Sequence, residues 1–397
     1  MLVPTRDRPD LLGFCLEGLA QQAFPDVEVV VADNPVELPA GDVFERWRKD
    51  GWRYVRPDEP LSMHDNWEFG LRHATGELVA VVIDKTILHP SALELANRAL
   101  EDDPEADLVS WWNDGFDPED EAGHVGDGIL IPTPETREPE RFDPAAELRK
   151  MFSFDERRGE DPVHYFRGKI VFGAYSRSLL ERIREACGQV FFPLTPDYTS
   201  RTAGLALTRG AIDMGRPLLV SYNSRRSNGQ RAASRASYAK SFVLEADPAA
   251  LERLPIPGLY ASVHNLVAFD CLTSARRLAG ERLPELDREN LVRRAREDLE
   301  LVDWHSAEER DEQYGRLEAE ERRLGIAFES PEAAEEDSDA PPAPFNLVAR
   351  AVNAIRWRLE DHPPPEPVPE HPVFHSPVRA AAEADRLYTS VGGGISL

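Results

Sequence analysis

Ala74-Thr75-Gly76-Glu77-Leu78-Val79-Ala80-Val81-Val82-Ile83-Asp84-Lys85-Thr86-Ile87-Leu88-His89-Pro90 is the stretch on which the reading of this chain turns. It begins with a helix end and a turn. The apolar run Leu78 to Ile83 then has the length of a strand buried on both faces, and Asp84 stands where that strand stops. Ligands of open α/β sheets bind beyond the carboxyl ends of strands, so Asp84 sits at a working edge. Its neighbour Lys85 is a cation in a chain of 397 residues that holds five lysines, Lys49, Lys85, Lys150, Lys169 and Lys240.

The same alternation extends to both sides. Met1-Leu2-Val3 reads as the last fragment of a strand before a Pro4-Thr5 turn. Leu11, Leu12, Cys15, Leu16 and Leu19 have helical spacing, and the β-branched run Val27 to Asn34 is a strand closed by Asp33. A weaker strand is expected at Trp52 to Val55 and a helix at Asn66 to His73. Beyond Pro90 the reading gives a helix to Leu100, strands at Asp107 to Trp112 and Arg167 to Tyr175, and helices at Ser178 to Cys187 and Tyr198 to Ala211. The final strand is Pro217 to Tyr222, and residues 113–145 form a lid-like excursion. Such alternation predicts an α/β fold: a mainly parallel, Rossmann-like sheet with helices on both faces and right-handed crossovers.

After about residue 240 the pattern turns helical and charged. The predicted division is a catalytic domain over 1–235, a C-terminal helical extension over 236–330 and an acidic, proline-rich linker and tail over 331–397, partly disordered. Phe345 to Leu359 has the apolar spacing of a docking helix. The extension is expected to complete an acceptor side or to make a homo-oligomer contact.

A formal charge of -26 and a pI near 4.8 exclude a nucleic-acid binder, whose phosphate contacts need clustered Lys and Arg. Such an acidic surface keeps a chain soluble, a lever that halophiles use. Cys15, Cys187 and Cys271 are isolated and lack metal-ligand spacing, which fits a reducing compartment. No run of some eighteen apolar residues is present and the N-terminus has no signal-peptide pattern. The expected location is the cytoplasm, with peripheral contact at the inner face of the cell membrane through partners.

Asp33, Asp84 and Asp197 each stand at a strand end or a helix start, where a carboxylate is held rigidly. Their order, with Pro4-Thr5-Arg6-Asp7-Arg8-Pro9, Val29-Val30-Val31-Ala32-Asp33-Asn34, Ala74-Thr75-Gly76-Glu77, Leu88-His89-Pro90, Thr195-Pro196-Asp197-Tyr198-Thr199-Ser200 and Ser227-Asn228-Gly229, resembles the family-two glycosyltransferases over about the first 230 residues. The resemblance implies the GT-A (nucleotide-diphospho-sugar transferase) fold and inverting transfer of a sugar, hexosyltransferase-like, from a nucleotide-diphosphate donor. The acceptor is a hydroxyl of a glycan, a lipid-linked intermediate or a small molecule, as in glycan and cell-envelope biosynthesis. It implies nucleotide contacts for Pro4, Thr5 and Asp33, a place near the donor diphosphate and a metal-ligand role for Asp84, and general-base work for Asp197. The family's cofactor is a divalent cation, Mg2+ or Mn2+.

The acidic cluster of that family is here Ile83-Asp84-Lys85-Thr86, with one carboxylate. Lys85 stands where it repels an ion and is expected to neutralise part of the donor's charge. Arg225 and Arg226 follow the last strand, where a loop meets a diphosphate, and the guanidinium fork suits phosphate. His64 and Asn66 are candidates for donor contact, and Trp111 or Trp112 for stacking on a sugar. Two rivals remain at this stage: a non-catalytic nucleotide-sugar-binding relic, and a nucleotidyltransferase, whose glycine-rich phosphate loop Pro4 to Asp10 does not supply.

Overall fold

The structure is a computed structural model that describes residues 1–118, 127–133, 136–154, 162–222, 227–278, 283–326 and 373–390. Its first half alternates strands and helices: β1 (Leu2–Thr5), α1 (Pro9–Ala20), β2 (Val30–Asp33), α2 (Gly41–Trp47), β3 (Arg53–Val55), α3 (Met63–Leu71), β4 (Leu78–Val79), β5 (Thr86–Leu88), α4 (Ala92–Asp102) and β6 (Leu108–Pro118). Then come β7 (Gly128–Ile131), β8 (Glu140–Phe142), α5 (Pro144–Ser153), β9 (Gly173–Ser176), α6 (Arg177–Cys187), α7 (Pro196–Leu207) and β10 (Ala211–Tyr222). Six helices follow: α8 (Asn228–Ser234), α9 (Ala236–Ala246), α10 (Ala250–Arg253), α11 (Val263–Arg277), α12 (Arg288–Leu299) and α13 (Ala307–Leu324). The last elements are β11 (Val373–Phe374) and α14 (Pro377–Ser390).

Strands β1, β2 and β3 pair in parallel. A parallel bridge between Leu2 and Val81 joins them to the stretch after β4, whose other edge meets β9 antiparallel. From β9 the sheet continues through β6 to β10, again parallel to β6, while β5, β7 and β8 add antiparallel partners. Successive residues of β1 and β2 face opposite sides, as the period of a strand requires. Val3 and Val31 pack with Leu12, Leu16 and Phe44, whereas Leu2, Val30 and Ala32 pack with Trp67 and Leu71. Helices therefore cover both faces, which is why these strands read as unbroken apolar runs. Helix α3 lies so close that a Cβ on Gly70 would stand 2.4 Å from Leu2 Cδ1 and 2.8 Å from Ala32 Cβ.

The structure corrects several expectations. Pro4 and Thr5 belong to β1, and the turn begins at Arg6. Of the strand expected over 167–175, only the end is strand, as β9 from Gly173; Ile170–Phe172 is a short 3-10 helix, and another, Pro162–Tyr165, precedes the span. Gly168 turns the chain between them with φ of +83°, a conformation an L side chain rarely adopts. Within the excursion expected over 113–145, residues 113–118 continue β6, which pairs antiparallel with β7. Ser62 caps α3 by accepting from Asp65 N.

Part of the expected tail is packed structure. Strand β11 pairs with β7, and α14 places Val378, Ala381, Ala384 and Tyr388 against Leu11, Ile87, Phe116, Val220 and Tyr222. Acidic, proline-rich composition averaged over 331–397 hid this short alanine-rich helix, whose apolar residues recur at helical spacing. The docking helix expected at 345–359 lies outside the described residues. Among the described residues no helix is long and apolar enough to cross a membrane.

Helices α5, α7, α9, α11, α12 and α13 share one core that includes Leu148, Leu205, Val243, Phe269, Leu291 and Leu317. Helix α7 is thus supported from the extension as well as from the sheet.

Candidate active site

Asp84 is fully buried in the turn that leads from β4 and the Val81 bridge into β5. Thr5 Oγ1 donates to its Oδ2 at 2.8 Å, and Arg8 Nε lies 2.9 Å from the same oxygen. Lys85 is half-buried, and its Nζ donates to Ser227 Oγ at 3.2 Å. Burial, then the neighbouring Arg8 guanidinium, lowers the Lys85 ammonium to about 8, against the pull of Asp84 and Asp197. Thr86 turns its hydroxyl inward and donates to Ile83 O at 2.7 Å.

Asp33 closes β2. Its Oδ2 accepts from Ala40 N at 2.8 Å and Tyr54 OH at 2.5 Å, while buried Oδ1 has no hydrogen-bond partner among the described residues. Buried Asn66 donates through Nδ2 to Ala32 O at 3.1 Å, and its Oδ1 likewise has none. Unsatisfied buried acceptors are costly, so a pair of them at a strand end marks a place for ligand donors. Asn34 clasps the far side of this edge, donating to Leu61 O at 2.8 Å and accepting from Leu61 N at 2.9 Å.

Between β1 and α1 the chain passes through Asp7 with φ of 54°. Asp7 Oδ1 accepts from the amides of Val36, Glu37 and Leu38 at 2.8 to 3.0 Å. Burial raises its carboxyl, but these amides outweigh that and leave it below the ordinary value. The turn so fixed lines a cavity of about 310 Å³ with Arg6, Asp7 and Arg8, opposite Asn228, Arg231, Tyr238 and Glu245. Arg6 pairs with Glu245 across it, tying the sheet edge to α9.

Asp197 stands in the first turn of α7 with its side chain a quarter exposed. Lys169 Nζ is 3.8 Å from its Oδ2 and lies over the rings of Tyr165 at 3.6 Å and Tyr198 at 3.9 Å. Lys169 is completely buried. The loop entering α7 is anchored from α11: Asp270 accepts from Leu194 N at 2.5 Å, from Thr195 N at 3.1 Å and from Thr195 Oγ1. Burial pushes the Asp270 carboxyl up to about 8 despite these donors.

Thr5, Asp84 and Lys85 are thus brought to one edge of the sheet, and Asp197 lies within electrostatic reach of Lys85. Pro4 is buried in β1 as framework, and Asp33 lies at the neighbouring strand end. Arg225 and Arg226 lie outside the described residues. Trp111 and Trp112 are both buried, with Trp112 Nε1 donating to Asp213 Oδ1 at 3.1 Å, so neither meets a sugar. His64 is buried beside Ser62. The sequence reading missed Arg8, Lys169 and Asp270. Lys169 carried a signal: a charge set against Ile170-Val171-Phe172 in a lysine-poor chain.

The metal role expected for Asp84 does not fit this donor set. Its Oδ2 is committed to Thr5 and Arg8, a second cation is adjacent in sequence, and Thr86 brings no carboxylate. Among the described residues no three His, Cys, Asp or Glu side chains group as a metal site.

Residues 1–183 match the sequence profile described as Glycosyl transferase family 2. Over those residues the chain is similar to the glycosyltransferases of that family. The matched segment carries the parallel β1–β2–β3 sheet with helices on both faces, and the C-terminal helices follow it. No curated protein matches the chain. Among solved structures, S. aureus TarS residues 1–349 in complex with UDP-GlcNAc is 13% identical, with 83% of this chain and 92% of that chain covered and a TM-score of 0.43. A longer S. aureus TarS structure is 16% identical over 62% of this chain, which spans 39% of it, with a TM-score of 0.41. The mannosyltransferase PcManGT from Pyrobaculum calidifontis, in complex with GDP-Man and Mn2+, is 20% identical over 81% of this chain and 85% of that chain, with a TM-score of 0.38.

Proposed function

We propose that this chain is an inverting glycosyltransferase, hexosyltransferase-like, that moves a sugar from a nucleotide-diphosphate donor to a hydroxyl of a glycan, lipid-linked or small acceptor. The observation that carries the reading is the meeting of Asp197, on a helix N-terminus, with the Thr5, Arg8, Asp84 and Lys85 cluster at the carboxyl edge of the sheet. Inverting transfer needs those two parts: a base for the acceptor hydroxyl, and positive charge for the departing diphosphate.

In this reading the nucleoside lies over the ends of β1 and β2, where Asp33 Oδ1 and Asn66 Oδ1 accept from base or ribose donors. Asp197 takes the acceptor's proton as the acceptor oxygen forms its bond to the anomeric carbon. The bond from that carbon to the diphosphate breaks, and its electron pair leaves with the nucleoside diphosphate. Lys169 and Asp270 act as positioning residues. The first holds one carboxylate oxygen of Asp197, and the second fixes the turn from which Asp197 projects. Residues 1–235 form the catalytic unit. The extension over 236–330 supplies α11 beneath the base and completes the acceptor side beyond α9.

The test is transfer and donor hydrolysis by the purified full chain across a panel of nucleotide-sugars, with Asp197→Asn as the decisive variant. Loss of turnover with retained nucleoside-diphosphate binding supports the assignment. Wild-type turnover in Asp197→Asn overturns it.

A further inference from the structure

A nucleoside diphosphate departs from glycosyl transfer with one more negative charge than it had in the donor, and that charge must be met as the bond breaks. In a lone-carboxylate site a divalent ion is usually held by the carboxylate and the substrate phosphates together. Asp84 is not available in that sense. Its Oδ2 accepts from Thr5 and faces Arg8 Nε at 2.9 Å. An ion bound through Oδ2 would have to displace the guanidinium, and one bound at either oxygen would lie close to the Arg8 and Lys85 cations. Like charges in a site shielded from water repel each other more strongly than in bulk solvent.

The cations themselves form a recess suited to phosphate. Arg8 and Arg231 both line the cavity of about 310 Å³, within the size range of small-ligand sites. Arg231 stacks 4.0 Å above the Tyr238 ring, which fixes its guanidinium plane. Lys85 reaches Ser227, the residue before Asn228 of the cavity wall. The two carboxylates that also line the cavity are occupied, Asp7 by three backbone amides and Glu245 by Arg6. In a chain of net charge -26, such a concentration of cations is a local exception.

We propose that the donor diphosphate is bound without a divalent metal, by the Lys85 ammonium with the Arg8 and Arg231 guanidinium groups, an assignment that rests on the glycosyl-transfer reading of the same edge. On transfer the anomeric carbon–oxygen bond to the β-phosphate breaks and its electron pair stays on the diphosphate. The new carbon–oxygen bond forms to the acceptor, and the acceptor's proton goes to Asp197. Asp84 serves here as the carboxylate that holds Arg8 in place.

Isothermal titration of the full chain with UDP, GDP, ADP, CDP and dTDP, each in excess EDTA and again with 5 mM Mn2+ (about that order suffices to saturate a weak site), tests the proposal. The expected result is that one nucleotide binds with the same affinity, within about twofold, in both conditions. Lys85→Met should weaken it about tenfold, with Lys85→Arg recovering most of the loss. Binding that requires Mn2+ overturns the metal-free assignment and leaves the donor site standing. Undiminished binding by a folded Lys85→Met protein removes Lys85 and overturns the proposal as stated. Failure of every nucleotide under both conditions overturns the donor site and, with it, this inference.

Discussion

Lys169→Met separates a catalytic reason for the buried lysine from a structural one. Burying an ammonium costs several kcal/mol, and the rings of Tyr165 and Tyr198, at 3.6 and 3.9 Å, return about 2 kcal/mol each as desolvated cation–π contacts. The attraction to Asp197 at 3.8 Å is about 4 kcal/mol in an effective dielectric of about 20. Water at the quarter-exposed carboxylate screens it, leaving about 1 to 2 kcal/mol. These terms nearly cancel, and methionine fills a similar volume with a polarizable group that suits an aromatic cage. Stability should therefore change by less than about 2 kcal/mol in either direction. Turnover should fall about 5- to 30-fold, because losing about 1 to 2 kcal/mol of orientation at the base acts on the chemical step. The donor KM should stay near its wild-type value, since Lys169 touches the base and not the nucleotide side. The assay is release of nucleoside diphosphate at saturating donor and acceptor, alongside urea denaturation of the same preparation. A folded Lys169→Met enzyme with wild-type kcat refutes the positioning role. A protein that loses more than about 3 kcal/mol refutes the cancellation and makes Lys169 a structural keystone.

Three further outcomes are expected. The Asp270 carboxyl, raised by burial to about 8, holds its proton in the folded chain and not in the unfolded one from about pH 4 upward. Its contribution to stability therefore falls as pH rises through that window and is flat above about 8, so the Tm of Asp270→Asn relative to wild type should rise from pH 5 to pH 8. A pH-independent Tm difference rejects this. Gly70→Val should lower stability by about 1 to 3 kcal/mol in a urea titration, because the added Cβ would overlap Leu2 and Ala32 and push α3 off the sheet. Tyr388→Phe should cost about 1 to 3 kcal/mol, since Tyr388 OH donates to the buried Asp114 Oδ1 at 2.8 Å. An unchanged denaturation midpoint shows that α14 contributes packing alone.

How far the sequence reached depends on the range of the forces involved. Local patterns carried the strand around Val31, the helix with Leu12, Leu16 and Leu19, and the strand-end position of Asp33, whereas the strand expected over 78–83 is only Leu78–Val79 with a bridge at Val81, and Asp84 lies in the turn before β5. Burial on one or both faces writes a period of two, of three to four, or an unbroken apolar run directly into neighbouring residues. Helix α14 escaped because its apolar residues sit in a proline-dense, acidic neighbourhood, although its own spacing is regular. The 3-10 segments before β9 escaped because Ile170-Val171-Phe172 is apolar in either conformation, and the backbone turn at Gly168 decides between them.

The opening stretch shows the division most plainly. Sequence alone determined that a buried apolar run ends at Asp84, that the following residue is a cation, and that the surrounding series resembles a glycosyltransferase family. Tertiary structure alone decided what the carboxylate does. Arg8 reaches it from the next strand's loop, 76 positions earlier, and Lys169 reaches Asp197 from 28 positions away. Electrostatic partners act through space over a few ångströms without regard to separation along the chain. No local pattern could reveal that Asp84 is bound to an arginine.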